Sequence, residues 1–203
     1  MVLAGAKGLA KQLLPIIRDR GLDAGLMIYD RNPELKNLYE FHLTHNLDEV
    51  ARHFESTDPR FILGMGKPQI RKLVSKQLTG LGGMPYSLIS ATAMIAEDAL
   101  FGTGSSILSG VIMENGSRTG IMCLLNLRCL ICHDVQLGDY CEVGPGAILL
   151  GESSAGDGSF IGAGAIINPG VRLGKNVLVG SGSVVTRDFP DGSKIAGVPA
   201  RLF

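Results

Sequence analysis

One histidine stands apart from the other three. His133 is followed directly by Asp134, whereas His42, His45 and His53 all lie in the N-terminal part of the chain. An imidazole with an unperturbed pKa of about 6.5 is the commonest general base, and an adjoining carboxylate can fix its tautomer and raise its basicity. Such a pair suits removal of a proton from an attacking nucleophile. A solvated turn histidine fits the same position, and adjacency in sequence does not by itself bring the two side chains together.

The cysteines offer a second candidate. Cys129 and Cys132 form a CxxC motif, and Cys123 lies six residues earlier. A zinc site needs further Cys or His partners at ligand spacing, and the histidines elsewhere do not supply them. No metal is expected, which also removes a carbonic anhydrase that binds zinc through three histidines.

A third candidate is the run Gly5-Ala6-Lys7-Gly8, between the apolar MVLAG and a helical pattern holding Leu13, Leu14, Ile16 and Ile17. The dinucleotide fingerprint fails there, because Lys7 and Ala10 occupy its second and third glycine positions. A helix N-terminus beside a glycine turn still favours a phosphate, with Lys7 adding charge, and an ordinary strand-to-helix turn fits equally. Asp30 ends the next strand, AGLMIYD, where it could accept from a ribose. Gly64-Met65-Gly66-Lys67 ends a third strand, RFILGMG, on the same side.

The elements that must hold these residues are of two kinds. From Ile89 to Val185 an apolar residue recurs at every sixth position, with Thr119 the one polar member. Four residues further along each hexad the side chain is small, as at Ala93, Cys123, Cys129, Cys141, Ala147 and Ser183. Three of the four cysteines therefore occupy a packing register. Glycines recur every eighteen residues, at Gly102, Gly120, Gly138, Gly156 and Gly174, and again at Gly144, Gly162 and Gly180. The spacing predicts three-sided coils of a parallel β-helix, with these glycines at corners that need backbone conformations closed to other residues. His133 then falls in a corner.

In front, strands alternating with helices predict a small parallel α/β domain over residues 1–84. Pro15 predicts a kink or late start of the first helix. Asn46 predicts a helix cap, and Pro68 the first residue of a helix reaching Leu78. Gly80 to Pro85 reads as the join, with the β-helix domain over 85–203. The tail from Thr186 onward predicts a cap on the last coil.

The 203 residues carry 19 basic and 19 acidic side chains, so no global attraction to nucleic acid is implied. No apolar run approaches the roughly 18 residues of a membrane span, and no secretory signal pattern is present. Reduced thiols fit a cytoplasmic protein.

Together VLAGAKGLA, FILGMGKPQIRK, Asn126 seven residues before His133-Asp134, VQLGD and the closing GVPAR resemble the left-handed β-helix hexapeptide sugar acyltransferases. Within that group the chain is similar to the family of sialic acid O-acetyltransferases and bacillosamine-type amino-sugar N-acetyltransferases. The resemblance implies a small Rossmann-like N-terminal domain followed by a left-handed parallel β-helix. It implies a homotrimer, acetyl-CoA as donor, and an acceptor that is a nucleotide-linked amino sugar for surface glycan synthesis. By resemblance His133 is the general base and Asp134 its support. Asn126 and Glu142 would face the acceptor, Glu142 standing where several relatives have a second histidine. Gly151, Ala163 and Ser181 would line CoA, and Gly5, Lys7, Gly8, Asp30, Gly66 and Lys67 would line the nucleotide sugar. O-acetylation of a sugar, or a sugar-nucleotide-binding scaffold without chemistry, are the alternative readings.

Overall fold

Every sixth side chain from Ile107 to Val185 turns inward and stacks on its counterpart eighteen residues away. In the computed structural model, which describes residues 1–203, strands one period apart pair in parallel. Ile112–Met113 pairs with Leu130–Ile131, Arg118–Thr119 with Gln136–Leu137, and Leu124–Leu125 with Glu142–Val143. Three sheets result, of six, five and eight strands. The six-stranded sheet runs from Met94–Ile95 to Val184–Val185, and the five-stranded sheet from Leu100–Phe101 to Arg172–Leu173. The third begins at Leu88–Ile89 and ends in the antiparallel pair Lys194–Gly197 and Ala200–Leu202, which caps the last coil.

The axis residues Leu125, Ile131, Val143, Leu149, Ile161 and Ile167 are fully buried, as are the small residues Cys123, Cys129, Cys141 and Ala147. Each buried aliphatic side chain contributes about 1.5–3 kcal/mol. Neither register alone would close the prism. Large residues fill the axis while small ones let adjacent sides meet, so a bulky change at Cys141 would force the coil open.

The period-eighteen glycines serve a different purpose from the one their spacing suggested. Positive φ falls instead two residues later in each corner, for example at Gly104, Met122, Tyr140, Gly158 and Asn176. At Gly102, Gly144 and Gly162 a Cβ would lie 2.5 to 2.6 Å from backbone atoms of the next coil. Close approach between coils, rather than a left-handed backbone, excludes other residues there.

The first unit spans Met1–Leu88 and the second Ile89–Phe203. Met84–Pro85, where the sequence placed the join, is instead a strand. In the first unit β1 (Val2–Ala4), β2 (Met27–Tyr29), β3 (His42–Thr44), β4 (Arg60–Leu63) and β5 (Met84–Pro85) form one parallel sheet in the order β3-β2-β1-β4-β5. Sequence reading found three of these strands. β3, with His42 and Thr44 among its three residues, and the two-residue β5 carry no apolar run that marks a strand.

Helix α1 (Gly8–Asp19) runs through Pro15 and buries Ala10, Leu13, Leu14, Ile16 and Ile17. Helix α2 (Leu47–Ser56) is capped by Asn46, whose Oδ1 accepts the Asp48 N–H at 2.8 Å. Helix α3 (Pro68–Gly80) opens on Pro68, whose fixed φ and missing N–H suit a first helical position. No helix is long and apolar enough to cross a membrane.

Candidate active site

His133 and Asp134 occupy the corner between the six- and five-stranded sheets. Their side chains do meet: His133 Nδ1 lies 3.0 Å from Asp134 Oδ2. An ionised carboxylate only accepts, so Nδ1 carries the proton and Nε2 holds the free lone pair. Asp134 adopts φ +60°, a left-handed conformation that aspartate tolerates better than most residues. The turn thereby brings its carboxylate back toward the preceding side chain.

Neighbouring coils complete the corner. A Cβ on Gly151, one coil after His133, would lie 2.4 Å from both Cε1 and Nε2 of the imidazole. The ring therefore rests against Gly151. In the same way a Cβ on Gly116, one coil before Asp134, would lie 2.3 Å from Asp134 Oδ1. The Gly151 N–H donates to no group within the chain. Cys132, His133, Leu150, Gly151, Glu152, Pro169 and Gly170 line an open pocket of about 430 Å³.

Carboxylates surround this imidazole. The hydrogen bond to Asp134 raises the His133 pKa above its ordinary value, and the charges of Asp134, Glu114 and Glu152 add to the rise. Glu114 belongs to the preceding coil, and its Oε2 accepts the His133 backbone N–H at 2.9 Å. Glu152 belongs to the following coil, where its N–H donates to the His133 carbonyl at 3.1 Å. Sequence reading missed both. A sum along the eighteen-residue period would have found them, because Glu114 sits one coil before Cys132 and Glu152 one coil after Asp134.

The cysteines take no part as nucleophiles. Burial pushes the Cys129 thiol up to about 12, and burial together with the Glu114 charge raises Cys132. Both remain thiols near neutrality. No group of three or more His, Cys, Asp or Glu side chains is arranged to hold a metal.

The other expected residues fall in separate places. Asn126 is buried at the corner that precedes the six-stranded sheet, and exposed Ala163 and Ser181 continue along that same corner two and three coils further. Gly151 lies instead on the His133 corner. Glu142 is in a strand of the eight-stranded sheet, only 9% exposed, so within one chain it does not join the histidine.

In the first unit, Gly5, Lys7 and Gly8 gather at the C-terminal end of β1. Gly5 has φ +105°, and a Cβ there would lie 2.8 Å from the Gly64 carbonyl oxygen, so both conformation and space require glycine. Asp30 Oδ2 accepts the Ala6 N–H at 2.8 Å and its Oδ1 accepts the Asn32 N–H at 2.9 Å. The carboxylate thus fixes the first turn, and each oxygen keeps a lone pair for another donor. Gly66 and Lys67 follow β4, and Lys67 leads into α3 with φ +63°. Fully buried Arg71 donates to the carbonyls of Leu63 and Met65 at 3.1 and 3.0 Å, holding that loop from beneath. Its place in α3 gave no sequence signal of this role.

Residues 156–187, within the repeat, match the bacterial transferase hexapeptide family (six repeats). Particular relatives narrow the comparison. Over 87 residues the chain is 30% identical to the GDP-perosamine N-acetyltransferase of Escherichia coli O157:H7, a match spanning 43% of this chain and 39% of that enzyme. PerB from Caulobacter crescentus, solved with CoA and GDP-perosamine, is 28% identical with a TM-score of 0.93, covering 100% of this chain and 96% of that one. The acetyltransferase domain of PglB from Neisseria gonorrhoeae, solved with acetyl coenzyme A, is 25% identical with a TM-score of 0.90, covering 100% and 98%.

Proposed function

We propose that this protein transfers an acetyl group from acetyl-CoA to the amine of a nucleotide-linked amino sugar. The observation that carries the reading is the His133 corner, where an imidazole with a free Nε2 rests on a glycine in a chain whose whole length follows PerB. His133 Nε2 takes a proton from the acceptor nitrogen as that nitrogen attacks the thioester carbon. A C–N bond forms, the C–S bond breaks, and the imidazolium returns its proton to the departing CoA sulfur. Asp134 orients the ring throughout. The free Gly151 N–H is a donor for the oxygen that becomes negative during attack. Because a thioester is already activated and Cys132 stays a thiol, no acyl-enzyme is required.

The expected residues divide between two corners, and this favours a homotrimer. The outward positions of the six-stranded sheet are Met94, Ile112, Leu130, Ile148, Ile166 and Val184, all apolar. A continuous apolar face marks an association surface. The His133 corner borders one edge of that face, and the corner of Asn126, Ala163 and Ser181 borders the other. A closed threefold ring built on it would bring the histidine corner of one chain to the asparagine corner of the next. CoA would then run between Gly151 of one chain and Ala163 and Ser181 of its neighbour, with Asn126 and Glu142 near the acceptor.

We read the first unit as Rossmann-like and nucleotide-binding, since its strand order follows the doubly wound pattern. Gly5, Lys7, Gly8, Asp30, Gly66 and Lys67 sit at the ends of its strands, where that pattern receives a ligand. The β-helix is read as left-handed, the setting as cytoplasmic and the product as a surface glycan precursor, by the same resemblance.

The test measures CoA thiol release from acetyl-CoA with GDP-, UDP- and dTDP-linked 4-amino sugars and with free sialic acid, in wild type and His133→Ala, alongside the solution mass. Release with one amino sugar, lost in His133→Ala, is expected from a trimer. Release only with sialic acid would turn the reading to O-acetylation. Full release in His133→Ala would remove the base from that residue.

A further inference from the structure

Beyond the His133–Asp134 pair, we infer that Glu114 is a positioning residue for the base, holding the His133 backbone from one coil away and lending its charge to the imidazole. This rests on the reading of His133 as the base. The argument begins with what the corner does not need. In the same column, Asn115 and Gly151 make the first residue of the turn as His133 does, and neither N–H has an acceptor within the chain. Pro169, next in the column, has no N–H at all. The turn therefore forms without any cap at that position. His133 alone receives one, from Glu114 Oε2 at 2.9 Å.

Position supports the same conclusion. Along the period, Ala96, Cys132, Leu150 and Asn168 are the counterparts of Glu114. The carboxylate occurs only in the coil that precedes the histidine. Its charge also helps to keep the Cys132 thiol protonated beside the pocket. The groups facing the imidazole are Asp134 from its own corner, Glu114 from the preceding coil, and Glu152 from the following coil, with Cys132 adjoining. All three carboxylates favour the protonated ring. Glu114 is the one among them that also grips the histidine backbone.

Two variants separate position from charge. Glu114→Gln keeps an acceptor for the His133 N–H and removes the charge, whereas Glu114→Ala removes both. The measurements are the pH profile of kcat with the best acceptor, and an NMR titration of the His133 imidazole. Glu114→Ala is expected to lose roughly tenfold in kcat with little change in KM for acetyl-CoA, and Glu114→Gln to recover most of that loss. In both, the rising low-pH limb of the profile and the His133 titration move to lower pH. A limb and a titration that stay at their wild-type positions in both variants would overturn the inference. So would a loss in Glu114→Ala that merely follows a loss of folded trimer. The titration needs no turnover: if no acceptor reacts but the titration still moves, Glu114 keeps its role toward His133 and it is the acetyltransfer reading that fails.

Discussion

Two corners of the same β-helix use carboxylates in opposite ways. At the corner between the five- and eight-stranded sheets, Asp139, Asp157 and Asp191 each reach back one coil and accept a backbone N–H, from Ile121, Asp139 and Lys175 at 3.0, 3.0 and 2.8 Å. Glycines clear the way, since a Cβ on Gly120, Gly138 or Gly174 would lie 2.3, 2.3 or 2.2 Å from the carboxylate oxygen. Those acids bind one coil to the next. At the histidine corner, Glu114, Asp134 and Glu152 converge instead on an imidazole that leans forward onto Gly151. The backbone is the same in both. What differs is whether the acids spend their oxygens on peptide groups alone or, as Glu114 does while also holding the His133 N–H, leave their charge facing a titrating ring.

Substitutions can break this contrast from either side. The largest effect is expected from His133→Asn, which removes the proposed base and should lower kcat by about 10²- to 10⁴-fold while the melting temperature stays close to wild type. Next is Gly151→Ala. The added methyl meets a side chain that can swing aside, so the fold survives, but the displaced imidazole should cost about 10²-fold in kcat. Comparing single-turnover rates with thermal melts checks both at once.

Asp134→Ala should lower kcat by roughly tenfold and also move its pH dependence. The proposed base acts through its unprotonated form, so activity should rise as pH climbs through the His133 pKa, which the carboxylates hold above its ordinary value. Without Asp134 that pKa falls and the limb should shift to lower pH. An unmoved limb would assign the titration to another group, such as the acceptor amine. The smallest effect belongs to the other corner: Asp139→Ala should leave kcat as in wild type. It should remove about 1 kcal/mol of stability, roughly 2–4 °C in a melt.

The hexad register made the β-helix legible because one period governs packing over nearly a hundred residues. The histidine and its aspartate were legible because they are adjacent. The glycines were read correctly in place but for the wrong cause, since sequence does not say whether a glycine serves a positive φ or a close neighbour. Glu114, Glu152 and the seat at Gly151 stayed hidden because their partners are a coil away. In the first unit, β3 and β5 carried no pattern, and Arg71 looked like any charged residue on a helix. The polar contacts of Asp30 depend on a turn whose path only the fold supplies.

The site also occupies a particular stretch of the solenoid. Glu114, His133 and Gly151 lie on consecutive coils, with further coils on both sides, and each coil leans only on its neighbours. Such an array frays from its ends. Heat or denaturant would peel the pair Lys194–Leu202 before reaching the histidine, so the proposed catalytic corner sits in the part of the solenoid that is last to come undone.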